Sequence, residues 1–339
     1  MGTPVSLLVV NYRSAALARD AIRSAREGTR NPLQVVVVDN SDEAELHDVA
    51  DIYVPMGRNA GYAAAINRGR AECDGEVIVA ANPDVIFAPG AIDALVDANA
   101  AVAGPALFWD DAHEWLLPPA ELHTSREVLG RSLATRSRAF AAWRDRRRIR
   151  ARIAFWLLTE TTPMRALSGA VMAIRAKAFD EAGGLDERFP LYFEENDFLR
   201  RVRGDVVYVP SARVRHLYNQ SAGESAEAAA FYALSEAAYL RKWGGRFWKR
   251  WELVTPASSP AGQAPSRRGR RDAAGPAVET TALLIEASPL PDFETAAGTF
   301  TNTWPIALPA EIRTTYRGAD LYLRAIDPST FRVLAKIRA

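Results

Sequence analysis

Val5-Ser6-Leu7-Leu8-Val9-Val10-Asn11-Tyr12 and, beyond one helical stretch, Gln34-Val35-Val36-Val37-Val38-Asp39-Asn40-Ser41 decide the fold. Each is an apolar block without polar–apolar alternation. A strand covered on one face alternates; a continuous run is buried on both, as in a parallel sheet between layers of helices. Working outward, Ser14 to about Glu27 reads as helix, Ile52–Val54 as a short strand, Gly61–Ala71 as an alanine-rich helix and Glu76–Ala81 as a fourth strand. Pro89 sits where a helix would start. Strands alternating with helices specify an α/β fold with a Rossmann-like, mostly parallel sheet and flanking helices. Farther on, Ala170–Ile174 reads as strand, Asn196–Val202 as helix, Val206–Val209 and Arg213–His216 as short extended segments, and Glu224–Lys242 as a long helix.

The 339 residues leave room for a second part. Residues 255–279 are rich in proline, glycine and arginine and contain no aromatic side chain, which predicts a flexible linker. Beyond it, Leu321–Ile326 and Phe331–Ile337 flank Asp327-Pro328-Ser329, a hairpin pattern. The expected organisation is a large α/β domain at 1–254, the linker at 255–279 and a small all-β module at 280–339. About 120–161 forms a helical, arginine-rich insertion in the first domain. Trp304, Tyr316 and Tyr322 of the module read as core aromatics, with a sugar-stacking platform as the alternative.

Cys73 is the only cysteine, and no apolar run approaches the roughly 20 residues that span a bilayer. A cytoplasmic protein is expected, with no nucleic-acid partner. The chain carries a net charge of +1, yet Arg126–Arg152 holds ten arginines against Glu127 and Asp145, a local net of +8. Such a segment suits an anionic surface, which points to a peripheral contact at the inner face of the membrane; a solvated helical insertion or a contact between copies of the chain is the alternative.

In a doubly wound sheet, ligands bind beyond the carboxyl ends of the strands. Asn11, Asp39 with Asn40, and Asn82-Pro83-Asp84 lie at three such ends and should converge. Asp39 and Asn11 are placed to frame a nucleoside, although Asp39 and Asn40 also suit a plain helix cap. Asn59-Ala60-Gly61-Tyr62, with Asn67 beyond, enters a helix through a glycine, where backbone amides can face a phosphate. Asp84 can present oxygen to a divalent cation bridging two phosphates; a turn is the simpler reading. Glu194, Glu195 and Asp197 crowd three carboxylates into a helix start, which raises their proton affinity and suits a general base. His216 ends an extended segment. His47, His113 and His123 read as surface residues.

In order and spacing, these pieces resemble glycosyltransferase family 2, in its bacterial rhamnosyltransferase-like branch. The resemblance runs from Val5 to about Trp243 and also takes in Leu167-Ser168-Gly169-Ala170 and Gly183-Gly184-Leu185-Asp186-Glu187-Arg188-Phe189. It implies the GT-A fold and an inverting transfer, with Mn2+ or Mg2+, from a nucleotide-diphospho-sugar. dTDP-rhamnose is favoured as donor and a UDP-sugar comes next. The acceptor is a carbohydrate or lipid-linked hydroxyl in cell-surface polysaccharide synthesis. The alternative is a nucleotide-sugar-binding protein without turnover. By the same resemblance, Asp84 binds the metal, with Asn82 in place of the usual first acid. His216 is a second metal ligand or a pyrophosphate contact. Glu195 is the base with Glu194 as its partner, and Ser168 and Gly169 lie at the donor. The family usually has Asp where Glu195 stands, so Asp197 remains the second candidate for the base.

Overall fold

The computed structural model describes residues 2–41, 45–189, 191–217, 226–245, 282–316 and 320–338. The expected linker at 255–279 lies outside them. In chain order the elements are β1 (Val5–Asn11), α1 (Ala15–Gly28), β2 (Leu33–Asp39), β3 (Ile52–Pro55), α2 (Tyr62–Arg70), β4 (Val77–Ala81), β5 (Val85–Phe87), α3 (Ala91–Asp97), β6 (Val102–Phe108), α4 (Ser125–Arg136) and α5 (Arg138–Trp156). There follow β7 (Thr162–Pro163), β8 (Val171–Arg175), α6 (Ala176–Glu181), α7 (Glu194–Arg201), β9 (Val206–His216), α8 (Ala226–Trp243), β10 (Leu283–Ser288), β11 (Ala297–Thr301), a short helix Ala310–Thr315, β12 (Tyr322–Asp327) and β13 (Arg332–Arg338).

The chain divides into two compact units. The first comprises Met1–Ala106, Ala120–Val128 and Thr159–Ala261, and holds a sheet in the order β3-β2-β1-β4-β8-β6-β9-β5, with β7 also on β9. The stretch β3-β2-β1-β4 is parallel. Every residue of β1 is buried, as its unbroken apolar run requires. In register, Asn11 lies opposite Asp39, so the two polar strand tips emerge together. A Cβ at Gly69 would collide with Leu8 and Val38; glycine there lets α2 lie directly on β1 and β2.

Two features depart from the sequence pattern. The separate extended segments at 206–209 and 213–216 are one strand, β9, running through Pro210. Proline lacks the donor a ladder needs. Pro210 falls where β9 changes partners, with Thr162 and Pro163 of β7 opposite Tyr208 and Val207, and β5 opposite Val214–His216. Strand β6 has no counterpart among the elements expected from the sequence. Gly104 fits there because a side chain would come within 2.8 Å of Leu167.

The second unit comprises Leu107–Pro119, Leu129–Leu158 and Gly262–Ala339. Its antiparallel sheet runs β11-β10-β12-β13, with the expected hairpin supplying the last two strands. The arginine-rich stretch expected as an insertion within residues 1–254 packs on this sheet. Ile149, Ile153 and Trp156 of α5 share a core with Leu284 and Ile326. Trp304 is buried, in keeping with a core role. Beneath α5, Glu286 lies between two arginines, with Arg152 at 3.0 Å and Arg324 at 2.5 Å; Arg324 also bonds Asp145 on the helix at 2.7 Å. Arg152, Glu286 and Arg324 are all buried. Alternation alone reads Arg324 and Glu286 as solvent-facing; mutual neutralisation lets them lie inside.

Removing one member of a buried charge set strands the others. Glu286→Gln should therefore destabilise the second unit by about 3–5 kcal/mol. Neutralising the exposed Asp20–Arg23 pair should cost less than about 1 kcal/mol. Urea unfolding of the two variants checks the contrast.

Candidate functional site

The sequence-derived candidates of the first unit form a chain of contacts along the carboxyl edge of its sheet. At the tips of β1 and β2, Asn11 Nδ2 donates to Asp39 Oδ1 at 3.0 Å. The same oxygen accepts from the Ser41 amide at 2.9 Å and its hydroxyl at 2.6 Å, while Tyr53 donates to Asp39 Oδ2. Burial works to raise the Asp39 pKa, but the donors Ser41, Tyr53 and Asn11 outweigh it and hold the carboxyl below its ordinary value. Asp39 is thus an ionised anchor. Burial and Asp39 together push the Tyr53 phenol upward. Tyr53 is a site residue that the sequence did not signal, since a tyrosine in a short strand has no distinguishing pattern.

Asn40 carries the chain onward. Its Nδ2 donates to the Gly61 carbonyl at 3.1 Å, and the Gly61 amide donates to Asn59 Oδ1 at 3.1 Å. Gly61 has φ of 89°, a conformation open to glycine, and α2 begins at the next residue. The Tyr62 hydroxyl is buried, and its pKa is raised by that burial and by the charges of Glu194 and Glu195. The first residue of α2 thus lies within electrostatic reach of the start of α7.

Glu194 is buried, and no donor among the described residues reaches its Oε2. Burial, and then the neighbouring Glu195, push its pKa well above 4.5. Burial also raises Glu195, although Asn196 Nδ2 donates to Glu195 Oε1 at 2.8 Å and favours the ionised form. A Cβ on Gly169 would lie 3.4 Å from Glu195 Cγ, so the Ser168-Gly169 loop packs directly against the carboxylate arm. One residue on, the Ala170 carbonyl accepts from the Asn82 amide at 2.9 Å. This places the 168–170 loop beside the Asn82-Pro83-Asp84 turn. Asp84 is 2% exposed. The antiparallel pairing of β5 with β9 sets Val85 opposite His216, and His216 Nε2 stands 3.4 Å from Asp84 Oδ1.

Two candidates serve the scaffold. Asn67 clamps the loop at 184–187, donating to the Leu185 carbonyl and Glu187 Oε1, both at 2.9 Å, and accepting from the Leu185 amide at 2.9 Å. Asp197 has no exposed surface, and its oxygens take Arg201 Nε at 2.8 Å, Trp243 Nε1 at 2.8 Å and Lys242 Nζ at 2.5 Å. Its carboxylate is thus engaged by three donors. His123, read from sequence as a surface residue, instead has a largely buried side chain, 2.9 Å from Glu236 and 4.8 Å from the Phe193 ring. Its backbone amide donates to Asn196 Oδ1 at 3.3 Å, one residue from Glu195. A lone histidine in an irregular loop offers no periodicity by which to find it.

The fold is that of GT-A glycosyltransferases, and comparison with known proteins supports a nucleotide-sugar glycosyltransferase. Residues 6–151 match the model for "Glycosyl transferase family 2". The N-acetylglucosaminyl-diphospho-decaprenol L-rhamnosyltransferase of Mycobacterium tuberculosis is 28% identical over 281 residues, which cover 73% of this chain and 88% of the relative. The low-salt glycan biosynthesis hexosyltransferase Agl10 of Haloferax volcanii is 25% identical over 224 residues, covering 62% and 65% respectively. Among solved structures, GalNAc-T7 with UDP, GalNAc and Mn2+ superposes with a TM-score of 0.52 at 16% identity, over 76% of this chain and 52% of that one. These matches, the family model over residues 6–151 above all, make the chain similar to glycosyltransferase family 2 and support a glycosyltransferase of that kind.

The buried glutamate has a consequence for stability. Below pH 4.5 Glu194 is protonated in both folded and unfolded chains; above it, only the unfolded chain ionises, so wild type loses stability as pH rises. Glu194→Gln escapes this loss. The variant should gain on wild type above pH 4.5, by at most about 1.4 kcal/mol per pH unit. Urea unfolding from pH 4 to pH 8 checks it; a difference independent of pH would contradict the raised pKa.

Proposed function

We propose that this chain transfers a sugar, L-rhamnose foremost, from a nucleoside diphosphate donor to a hydroxyl of a lipid-linked saccharide, with inversion. The observation that carries the reading is the adjacent pair of buried Glu194 and half-buried Glu195, the latter packed against Gly169 at the carboxyl edge of the sheet. Two crowded carboxyls ionise in sequence, sharing their titration. Glu195 has the Asn196 amide to support its negative charge, whereas no described donor meets Glu194 Oε2. Glu194 therefore keeps its proton and Glu195 is the base. Its raised pKa brings proton affinity nearer to working pH, where a general base is most effective. Glu195 Oε2 takes the proton of the acceptor hydroxyl as that oxygen attacks the anomeric carbon from the face opposite the leaving nucleoside diphosphate.

Asn11, Asp39 and Asn40 frame the nucleoside, and the turn Asn59–Tyr62 lies toward the diphosphate. Ser168, Gly169 and Asn82 border the transferred sugar. If Mn2+ or Mg2+ binds, the oxygen and nitrogen donors of Asp84 and His216, 3.4 Å apart, are the residues that would hold it. A cation held there would neutralise charge on the leaving diphosphate. Rhamnose and the lipid-linked acceptor are carried over from the mycobacterial relative, whose name specifies both an L-rhamnosyl transfer and a diphospho-decaprenol acceptor.

The test is transfer from dTDP-rhamnose, and from UDP-sugars in parallel, to a prenyl-diphospho-N-acetylglucosamine, with product detected by mass spectrometry. Glu195→Gln should lower kcat by about 10²–10⁴ while retaining donor binding. Asp197→Asn should act mainly on stability, through its lost pairs with Arg201 and Lys242. Asp84→Ala, or excess chelator, should abolish turnover. Full activity in Glu195→Gln would exclude that residue as the base, and full activity in chelator would exclude a metal.

A further inference from the structure

Helix α5 has two faces of opposite use. Its buried side, Ile149, Arg152, Ile153 and Trp156, is committed to the sheet of the second unit. Its other side is exposed from end to end, and carries Arg138, Trp143, Arg146, Arg147 and Arg150, with Leu157 just beyond the last turn. Every other exposed position of the helix is alanine. The only carboxylate of the helix, Asp145, is taken by Arg148 and Arg324, at 2.7 Å each. The outward stripe therefore bears positive charge alone, along a helix of 19 residues. That is roughly 28 Å at 1.5 Å per residue.

The stripe is not merely basic. Trp143 is 55% exposed and Leu157 61%, where burial would normally be favoured. Arg147 lies over the Trp143 ring, 5.8 Å from its centroid, and Phe140 lies 5.3 Å from it. An indole with a guanidinium over its ring suits the boundary between lipid headgroups and acyl chains, where tryptophan seats its ring and arginine meets phosphate. A purely polyanionic partner would make no use of Leu157.

We propose that this face of α5 docks the protein reversibly on an anionic phospholipid surface. Ile149, Ile153 and Trp156 already belong to the core, so the helix cannot immerse an apolar face. Attachment is electrostatic, supplemented by the Trp143 indole. Docking would bring the enzyme to the surface where a lipid-linked acceptor resides; its physical basis lies in the helix and not in the choice of acceptor.

The test is sedimentation of the full-length chain with phosphatidylglycerol–phosphatidylcholine vesicles, and with phosphatidylcholine alone, at low salt. Binding is expected to the mixed vesicles only. Each basic side chain near an anionic leaflet contributes roughly fivefold to binding, so the triple variant Arg146→Gln, Arg147→Gln, Arg150→Gln should bind about 100-fold more weakly. Trp143→Ser should weaken it severalfold. Transfer to a short-chain, water-soluble acceptor should stay unchanged in the triple variant, as should its thermal unfolding, which separates lost docking from lost folding. Failure of wild type to sediment with the mixed vesicles would overturn the proposal, as would undiminished binding by the triple variant. A dimer that the triple substitution dissolves, without vesicle binding, would show instead that the face joins two copies. Because sedimentation needs no substrate, its outcome stands apart from that of the transfer assay.

Discussion

Setting the half-buried Glu195 beside the buried Glu194 is the constraint on which the start of α7 depends, and much of the surrounding structure serves it. A buried ionised carboxylate is unfavourable unless it is paired or protonated. The residues that aim these two, Tyr192 and Phe193, both have positive φ, at 69° and 70°. For side chains with a Cβ this conformation costs roughly 1–2 kcal/mol per residue. It is held by aromatic packing, in which Phe193 joins Phe189 and Tyr239 of α8 in a buried cluster. At the other side of the first turn of α7, Asp197 is fastened by Arg201 and by Trp243 and Lys242 of α8. The strained entry and the ion-paired anchor fix the start of α7 from both ends.

Asp84 and His216 reach each other by a different route. Neither residue belongs to a local motif that predicts the other. They meet because β5 runs antiparallel to β9 with Val85 opposite His216, and one residue of slip would turn the imidazole to the opposite face of the sheet. The buried Val85, Phe87 and Val214 hold that register. Asn11 and Asp39 are likewise joined by register, but in a parallel pair whose long apolar runs already announce it.

The arginines of the second unit show why composition cannot assign roles. In sequence, the ten between Arg126 and Arg152 form one basic block. In the fold, Arg152 is buried against Glu286 and Arg144 is paired with Glu294, while Arg138, Arg146, Arg147 and Arg150 are exposed. A turn of 100° per residue separates these fates. The carboxylates that decide them come from residues more than a hundred positions away.

The sequence by itself determined the parallel half of the sheet, because a continuous apolar strand has few other places to go. It also determined the polar tips at Asn11, Asp39 and Asn82–Asp84, because the ends of such strands are where a doubly wound sheet places its ligands. The C-terminal hairpin was equally legible, since alternation and turn residues are local signals. Tertiary structure alone decided which carboxylates are paired. Glu195 and Asp197 are indistinguishable as letters in one acidic run, and differ because only Asp197 meets Arg201, Lys242 and Trp243. It alone decided that Asn67 clamps a loop, that His123 stands beside Asn196, and that α5 lies on the C-terminal sheet. The physical reason is common to all of them: backbone preference and apolar periodicity are written within a few residues of chain. The proton affinity and pairing of a polar side chain are set by groups that folding brings from elsewhere.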